Sequence, residues 1–298
     1  MVSFNYRSPI RGITLRRILA AGIVMVLLSF FYGPVNAETL EAKQGEVPQQ
    51  AQGSEQKQFF ENFSWLEPVY FLYGWDPKNL KLQISFKYRF FNPRGPLATR
   101  WNWLTDFHFG YTQTSFADFK SSSRPFEDTS YMPEFLWFVE DIEQAVFSWI
   151  SRLDFQTGIQ HISNGQSGDD SRSLNIIYVK PVLAFGNVEK YHFTVAPKVW
   201  IYIGNISENP DIADYWGYFD LKLIFGKPDG LMLSTDLRKG TDSGKGSIQI
   251  DFTYPMNKIL FGNLNGYFQA QLFSGYGEEL LLYNQKDTRF RIGIGFSR

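Results

Sequence analysis

The feature that most constrains this chain is an alternation of apolar and polar residues with period two, repeated from about residue 66 to the C-terminus. Successive side chains of a strand point to opposite faces, so this period predicts half-buried β-strands; a helix would need a period of 3.6. Lys81–Phe91 sets Leu82, Ile84, Phe86, Tyr88 and Phe90 against Gln83, Ser85, Lys87 and Arg89. Trp103–Tyr111 puts Trp103, Phe107, Phe109 and Tyr111 on one parity and Asp106 and His108 on the other. Tyr131–Val139 gathers Tyr131, Phe135, Trp137 and Val139. Arg152–His161 gathers Leu153, Phe155, Ile159 and His161 against Asp154, Gln156 and Gln160. Asn175–Phe185 gathers Ile177, Val179, Leu183 and Phe185. Similar segments at 191–201, 215–225, 231–237, 247–254, 266–273 and 289–296, with a weaker one at 67–74, bring the number to twelve.

Alternation suits a soluble sandwich as well as a membrane barrel, and three further features favour the barrel. Residues 1–37 have the form of a signal peptide: Arg7, Arg11, Arg16 and Arg17, an apolar stretch from Ile18 to Phe31, then the small-residue site Val35-Asn36-Ala37. Residues 38–65, Gln-rich and aperiodic at their start, are expected to form a flexible periplasmic arm. The strands are ~8–12 residues long, enough to cross a bilayer when tilted. Aromatics make up 18% of the chain, and many fall near strand ends, as interfacial girdles would: Trp101, Trp103, Tyr111, Trp137, Tyr178, Trp200, Tyr202, Tyr215, Trp216 and Tyr218. Connections at one end are expected to run 8 to 16 residues, and at the other 4 to 9. The expected fold is therefore all-β, a transmembrane antiparallel β-barrel of about 12 strands over 66–298, in the bacterial outer membrane. With 29 basic and 30 acidic residues, the chain has no charge excess to hold nucleic acid by counterion release. It has no cysteine for a disulfide, thiolate metal site or Cys nucleophile, and its three histidines make a poly-His metal site improbable.

Parity separates those histidines. His108 and His192 lie on the polar faces of their strands and are expected to point into the barrel. His161 lies on the apolar face, where a polar ring is costly unless it sits near the membrane edge and has partners. Ser163 is two residues on, the same-face spacing of an extended chain, and Asn175 shares the outward parity of Ile177 and Val179 on the returning strand. A hydroxyl, an imidazole and an amide at one boundary match a nucleophile, a base and a base-orienter. Gly165 lets backbone amides turn toward an oxyanion. The loop from Gln166 to Ser173 is rich in oxygen ligands suited to a hard cation, although such loops are more often merely solvated. A His-x-Ser at a strand end is more often simply a strand end. A passive pore and a non-catalytic anchoring barrel remain alternatives, but Lys87, Arg89, Asp106, Lys198, Asp220 and Lys222 on the polar faces suggest a plugged interior.

These residues resemble outer-membrane phospholipase A. The match is close at His161-Ile162-Ser163-Asn164-Gly165 and at Ser171-Arg172-Ser173-Leu174-Asn175. It extends to Tyr111-Thr112-Gln113, Ser122-Ser123, Tyr131 with Pro133-Glu134, Asn209-Pro210-Asp211-Ile212, Gly275-Tyr276-Gly277-Glu278 and Tyr283-Asn284. The resemblance implies a twelve-stranded barrel that hydrolyses acyl esters of membrane phospholipids and lysophospholipids, with calcium and as a homodimer. By family role, Ser163 would be the nucleophile, His161 the base and Asn175 its orienter, with the amides of Ser163 and Gly165 in the oxyanion hole. Calcium would be held by Ser171 and the carbonyl of Gln166, with Asp169, Asp170 and Glu208 nearby and Ser123 supplied by the partner. Gln113 matches a glutamine at the family's dimer interface. Gly168 stands where the best-known relatives carry an aspartate.

Overall fold

The computed structural model describes residues 60–75, 79–118, 126–142, 149–259, 262 and 264–298. The expected signal peptide and the arm as far as residue 59 lie outside the described residues. Among the described residues the strands are β1 (Phe63–Ser64), β2 (Tyr70–Gly74), β3 (Leu80–Arg89), β4 (Phe107–Ala117), β5 (Phe126–Val139), β6 (Arg152–Ser163) and β7 (Ser173–Gly186). They continue with β8 (His192–Ile203), β9 (Phe219–Gly226), β10 (Met232–Lys239), β11 (Gly246–Pro255), β12 (Tyr267–Tyr276) and β13 (Lys286–Gly295). From β2 onward each strand pairs antiparallel with the next, and β13 pairs with β2 to close the ring. The dipeptide β1 adds no position: it pairs with β3 at Phe63↔Tyr88, on the edge that β2 occupies at Tyr70↔Gln83. The result is a closed barrel with twelve positions, and closure leaves no row of unpaired backbone groups to face lipid.

Parity sorts the two faces as expected. Phe71, Ile84, Phe135, Ile177, Phe225 and Phe290 point out and are exposed, forming an apolar belt. Lys81, Ser85, His108, Glu134, Gln156, Asp251 and Arg291 point in and are buried. Buried polar groups need partners, and these have them. Lys81 Nζ donates to Gln249, Gln271 and Glu278 at 3.0, 2.8 and 3.1 Å. Arg291 Nη1 reaches the same Glu278 carboxylate at 2.6 Å. The Tyr178 hydroxyl donates to Glu134 and accepts from Gln156 Nε2.

Between β1 and β2 the chain leaves the sheet edge and turns inward. The amide of Glu67 donates to Ser85 Oγ at 3.0 Å, and the carbonyl of Pro68 accepts from Gln83 Nε2 at 2.8 Å. The Glu67 carboxylate then receives Lys180 of β7 at 2.9 Å and Lys222 of β9 at 3.1 Å, so it spans the lumen. A cavity of about 550 Å³ remains among these polar side chains. Above it, an apolar cluster joins the inner faces of β6–β8 (Ile162, Leu174, Ile176, Tyr178, Trp200) to Ile212, Leu280 and Tyr283 from two connections.

That cluster corrects part of the girdle expectation. Tyr178 and Trp200 belong to it and are buried, and Tyr215 and Trp216, on the short helix Ile212–Trp216, pack against it. Trp137 is buried too, its ring 6.1 Å from that of Phe155. Trp101, Trp103 and Tyr218 are exposed as a girdle requires. The expected difference in loop length is also absent. The connections at the end shared by β6 and β7 run 5, 8, 9, 15, 6 and 9 residues, and those at the other end 17, 12, 5, 5 and 11. The longest arises because Trp103 is not in a strand. Pro96 opens a short helix, Pro96–Arg100, and residues Asn102–Asp106 form a 3₁₀ turn, so β4 starts only at Phe107.

Candidate active site

Two neighbouring strands build the site. The end of β6 and the start of β7 pair with His161 opposite Asn175 and Ser163 opposite Ser173. Directly opposed residues in an antiparallel pair share a face, so His161 and Asn175 stand side by side on the outside of the barrel. His161 Nδ1 lies 2.9 Å from Asn175 Oδ1. An amide oxygen can only accept, so Nδ1 carries the proton and donates it, and Nε2 is left with its lone pair. Ser163 follows two residues along on the same face. All three side chains are half-buried, within reach of water at the edge of the apolar belt.

Backbone geometry past the serine has an identifiable cause. Gly165 has φ of +66°, and a Cβ there would come within 2.9 Å of the Tyr131 ring. Tyr131 in turn sits opposite Ser163 across the β5–β6 ladder. The position therefore needs glycine twice over, for its dihedral and for its space. The following loop is tied down by Asn164, a buried residue that parity does not single out. Its Oδ1 accepts from the amides of Gln166 and Arg172 at 3.3 and 3.0 Å, and its Nδ2 donates to the carbonyl of Asp170 at 2.7 Å.

The residues expected to hold calcium are brought together only in part. Gln166, Asp169, Asp170 and Ser171 share this nine-residue loop, with Asp169 and Asp170 exposed on the 3₁₀ turn Gly168–Asp170. Glu208 is exposed on the β8–β9 connection, and Ser123 lies outside the described residues. Among the described residues no three Asp, Glu, His or Cys side chains gather as a metal site. The donor set of the loop is nevertheless all oxygen, which fits a hard cation such as calcium. Gln113 points outward from β4, opposite Tyr131, in the same row as Ser163. The Tyr111 hydroxyl donates to Gln113 Oε1 at 2.8 Å, and Gln113 Nε2 donates to Ser115 Oγ at 3.1 Å, so this polar group on the lipid face has partners. The other histidines stand apart from the site. His108 is buried with Nδ1 2.8 Å from the Asp106 carbonyl, and His192 lies at the far end of β8.

Two connections brace the site from above. Asn209, fully buried, accepts the amide of Ser173 on Oδ1 at 3.1 Å. The Tyr283 hydroxyl donates to the Asp211 carboxylate; burial and that carboxylate both push its pKa up. Asn209 and Asp211 fall in the matched stretch Asn209–Ile212, but nothing local in the sequence assigns them a role.

Comparison with known proteins gives a consistent picture. The family model for phospholipase A1 matches residues 45–297. A putative phospholipase A1 of Neisseria meningitidis is 36% identical over 225 residues, 73% of this chain and 54% of that protein. Phospholipase A1 of Escherichia coli K12 is 35% identical over 187 residues, covering 62% of this chain and 60% of that protein. The alignments thus span less than two thirds of these relatives' length. Among solved structures, outer membrane phospholipase A from Escherichia coli superposes with a TM-score of 0.64 at 28% identity, covering 78% of this chain and 97% of that one. An outer membrane phospholipase dimer of Salmonella typhi with bound calcium matches with the same TM-score of 0.64 at 27% identity, over 78% and 91% of the two chains.

Proposed function

The chain belongs to the phospholipase A1 family and is a β-barrel of the bacterial outer membrane, and from that premise we propose that it hydrolyses acyl esters of phospholipids and lysophospholipids, with Ser163 as nucleophile, His161 as general base and Asn175 as the residue that orients the base. The observation that carries this reading is the 2.9 Å contact between His161 Nδ1 and Asn175 Oδ1 on the outward face of the barrel, which is mostly apolar. A strand end serving only as a strand end has no need of an oriented imidazole there.

The chemistry follows from the tautomer. Nε2 of His161 takes the proton of Ser163 as Oγ attacks the ester carbonyl. The tetrahedral oxyanion is met by the backbone amides of Ser163 and Gly165. Collapse expels the lysophospholipid alkoxide, which takes the proton from His161, and leaves an acyl-serine. His161 then deprotonates a water that attacks this ester, and the fatty acid and free serine result. Asn175 keeps the imidazolium and imidazole in one orientation through both steps, though a neutral amide stabilises the charge less than a carboxylate would. Calcium, when bound by Gln166 and Ser171 with help from Asp169 or Asp170, would supply positive charge beside the oxyanion. Ser123 from a second copy would complete that site, and Gln113 would pair across the interface between copies. An outward-facing site lets a two-chained lipid reach the serine without leaving the bilayer.

The deciding experiment is fatty-acid release from phospholipid in detergent micelles, with and without calcium. Wild type is expected to hydrolyse only with calcium, and Ser163→Ala and His161→Ala to be inactive. Hydrolysis surviving in Ser163→Ala would sink the reading. A passive pore would instead give ion conductance in planar bilayers; the Glu67 bridge and the apolar cluster above it both favour a blocked lumen.

A further inference from the structure

Strand β7 outruns its neighbour at the place where the site needs it to be rigid. The β7–β8 ladder ends at Asn175↔Ile203, because Gly204 takes φ of +73° and turns the chain away. Ser173, two residues beyond, still pairs with Ser163 of β6, but its amide faces the side where β8 has stopped. Asn209 fills that vacancy. Its Oδ1 accepts the Ser173 amide at 3.1 Å, in the role of a missing strand carbonyl. The preceding amide, of Arg172, is held by Asn164 Oδ1. Two asparagine side chains thus hold the last loop residue before β7 and the first residue of β7, the strand that carries Asn175.

Asn209 is itself well held. It is fully buried, its backbone N–H donates to the Ile206 carbonyl at 2.9 Å, and its backbone carbonyl accepts from the Ile212 N–H at 3.1 Å. Ile212 belongs to the apolar cluster, and Asp211 is tied to Tyr283. The anchor is therefore continuous with the core of the barrel mouth. We propose that Asn209 is a positioning residue for catalysis: through the Ser173 amide it fixes the start of β7, and with it the distance from Asn175 to His161. This inference rests on the reading of Ser163, His161 and Asn175 given above. It assigns no contact with substrate. Its consequence is kinetic, because displacements of about 1 Å at a catalytic group are worth roughly 10²-fold in rate while leaving lipid binding on the outer face intact.

The test measures phospholipid hydrolysis by the full chain in calcium-containing micelles for Asn209→Asp, Asn209→Ser and Asn209→Leu, beside wild type and Ser163→Ala. Folding is followed separately by the heat-dependent gel mobility of the barrel. Asp keeps an accepting oxygen at the same reach, and Ser and Leu withdraw it. The expected result is a kcat lowered roughly 10- to 100-fold in the Ser and Leu variants, with KM within about twofold, and a kcat within a few-fold of wild type in Asn209→Asp. If Leu prevents folding, the Asp and Ser variants alone decide. Equal kcat in Asp and Ser, or a loss carried by KM, overturns the inference while leaving the proposed function standing. An active Ser163→Ala overturns both.

Discussion

Asn175 has a narrower task than the residues it serves. In the proposed mechanism it neither attacks nor moves a proton; its Oδ1 accepts from His161 Nδ1 at 2.9 Å, which leaves the Nε2 lone pair free to act as the base. Asn175→Ala should therefore lower kcat by roughly 10²-fold and leave more residual activity than Ser163→Ala or His161→Ala. Single-turnover hydrolysis of a chromogenic ester would check this, and equal losses in all three would show that Asn175 does more than orient. The loop proposed to hold calcium gives a second expectation. Asp169 and Asp170 are exposed and no cage of three acidic side chains forms among the described residues, so calcium should bind weakly, with a Kd on the order of 10⁻⁴–10⁻³ M. Asp169→Asn with Asp170→Asn should raise the half-activating calcium a few-fold, and Ser171→Ala more, in a calcium titration of hydrolysis. At this scale the sequence was legible where parity alone decides: His161, Ser163 and Asn175 could be placed on one outward face from their spacing. Asn164 and Asn209 were not legible, because each bonds amides on distant or turned backbone that no period announces.

The elements are legible in the sequence where they are regular and obscure where they are interrupted. The strand expected at 67–74 starts only at Tyr70, because the chain at Glu67 turns inward, where its carboxylate finds Lys180 and Lys222 across the lumen. Long-range charge pairing of this kind leaves no local trace. Removing the carboxylate takes away the ion-pair partner of Lys180 and leaves Lys222 with Asp236 alone, at 3.4 Å. Glu67→Ala should cost about 3–5 kcal/mol, seen as a lower temperature for the gel shift that marks barrel unfolding. Glu278, on the β12–β13 connection, offers a pH test. Burial alone would raise its pKa, but the charges of Lys81 and Arg291 overrule this and hold it below the ordinary carboxylate value. A depressed folded-state pKa gives stability that is present above the unfolded value and is lost as pH falls through the folded one. Thermal stability should therefore fall on acidification below the usual carboxylate range. Glu278→Gln should start less stable, because Lys81 and Arg291 lose the one carboxylate they share while Lys81 keeps Gln249 and Gln271, and show a flatter acid limb in melts taken across pH. An unchanged acid limb in the variant would assign the acid sensitivity to other groups.

For the whole molecule, closure of the ring matters more than any single strand, since it turns alternation into an inside and an outside. The outer surface then carries a cluster of polar residues in one place. Gln113, Tyr131 and Ser163 occupy a single row across β4, β5 and β6, and Tyr111 and Ser115 flank Gln113. Most of the remaining belt is apolar, so in the proposed dimer this polar patch, continuous with Ser163, would be the meeting surface for a second copy. A dimer formed there would lay the partner against the active-site edge and wall the space where acyl chains enter. Pairing would then control activity without any change in the catalytic residues. Gln113→Ala should weaken the dimer by about 0.5–1.5 kcal/mol, a few-fold to roughly tenfold in the association constant. Sedimentation equilibrium in detergent with calcium would measure that constant, and hydrolysis would be followed over the same range of protein-to-detergent ratio. The variant's activity should fall earlier on dilution and return to the wild-type kcat at high ratio, because the triad is intact. A kcat that stays low when the variant is fully dimeric would place Gln113 in the chemistry instead of the interface.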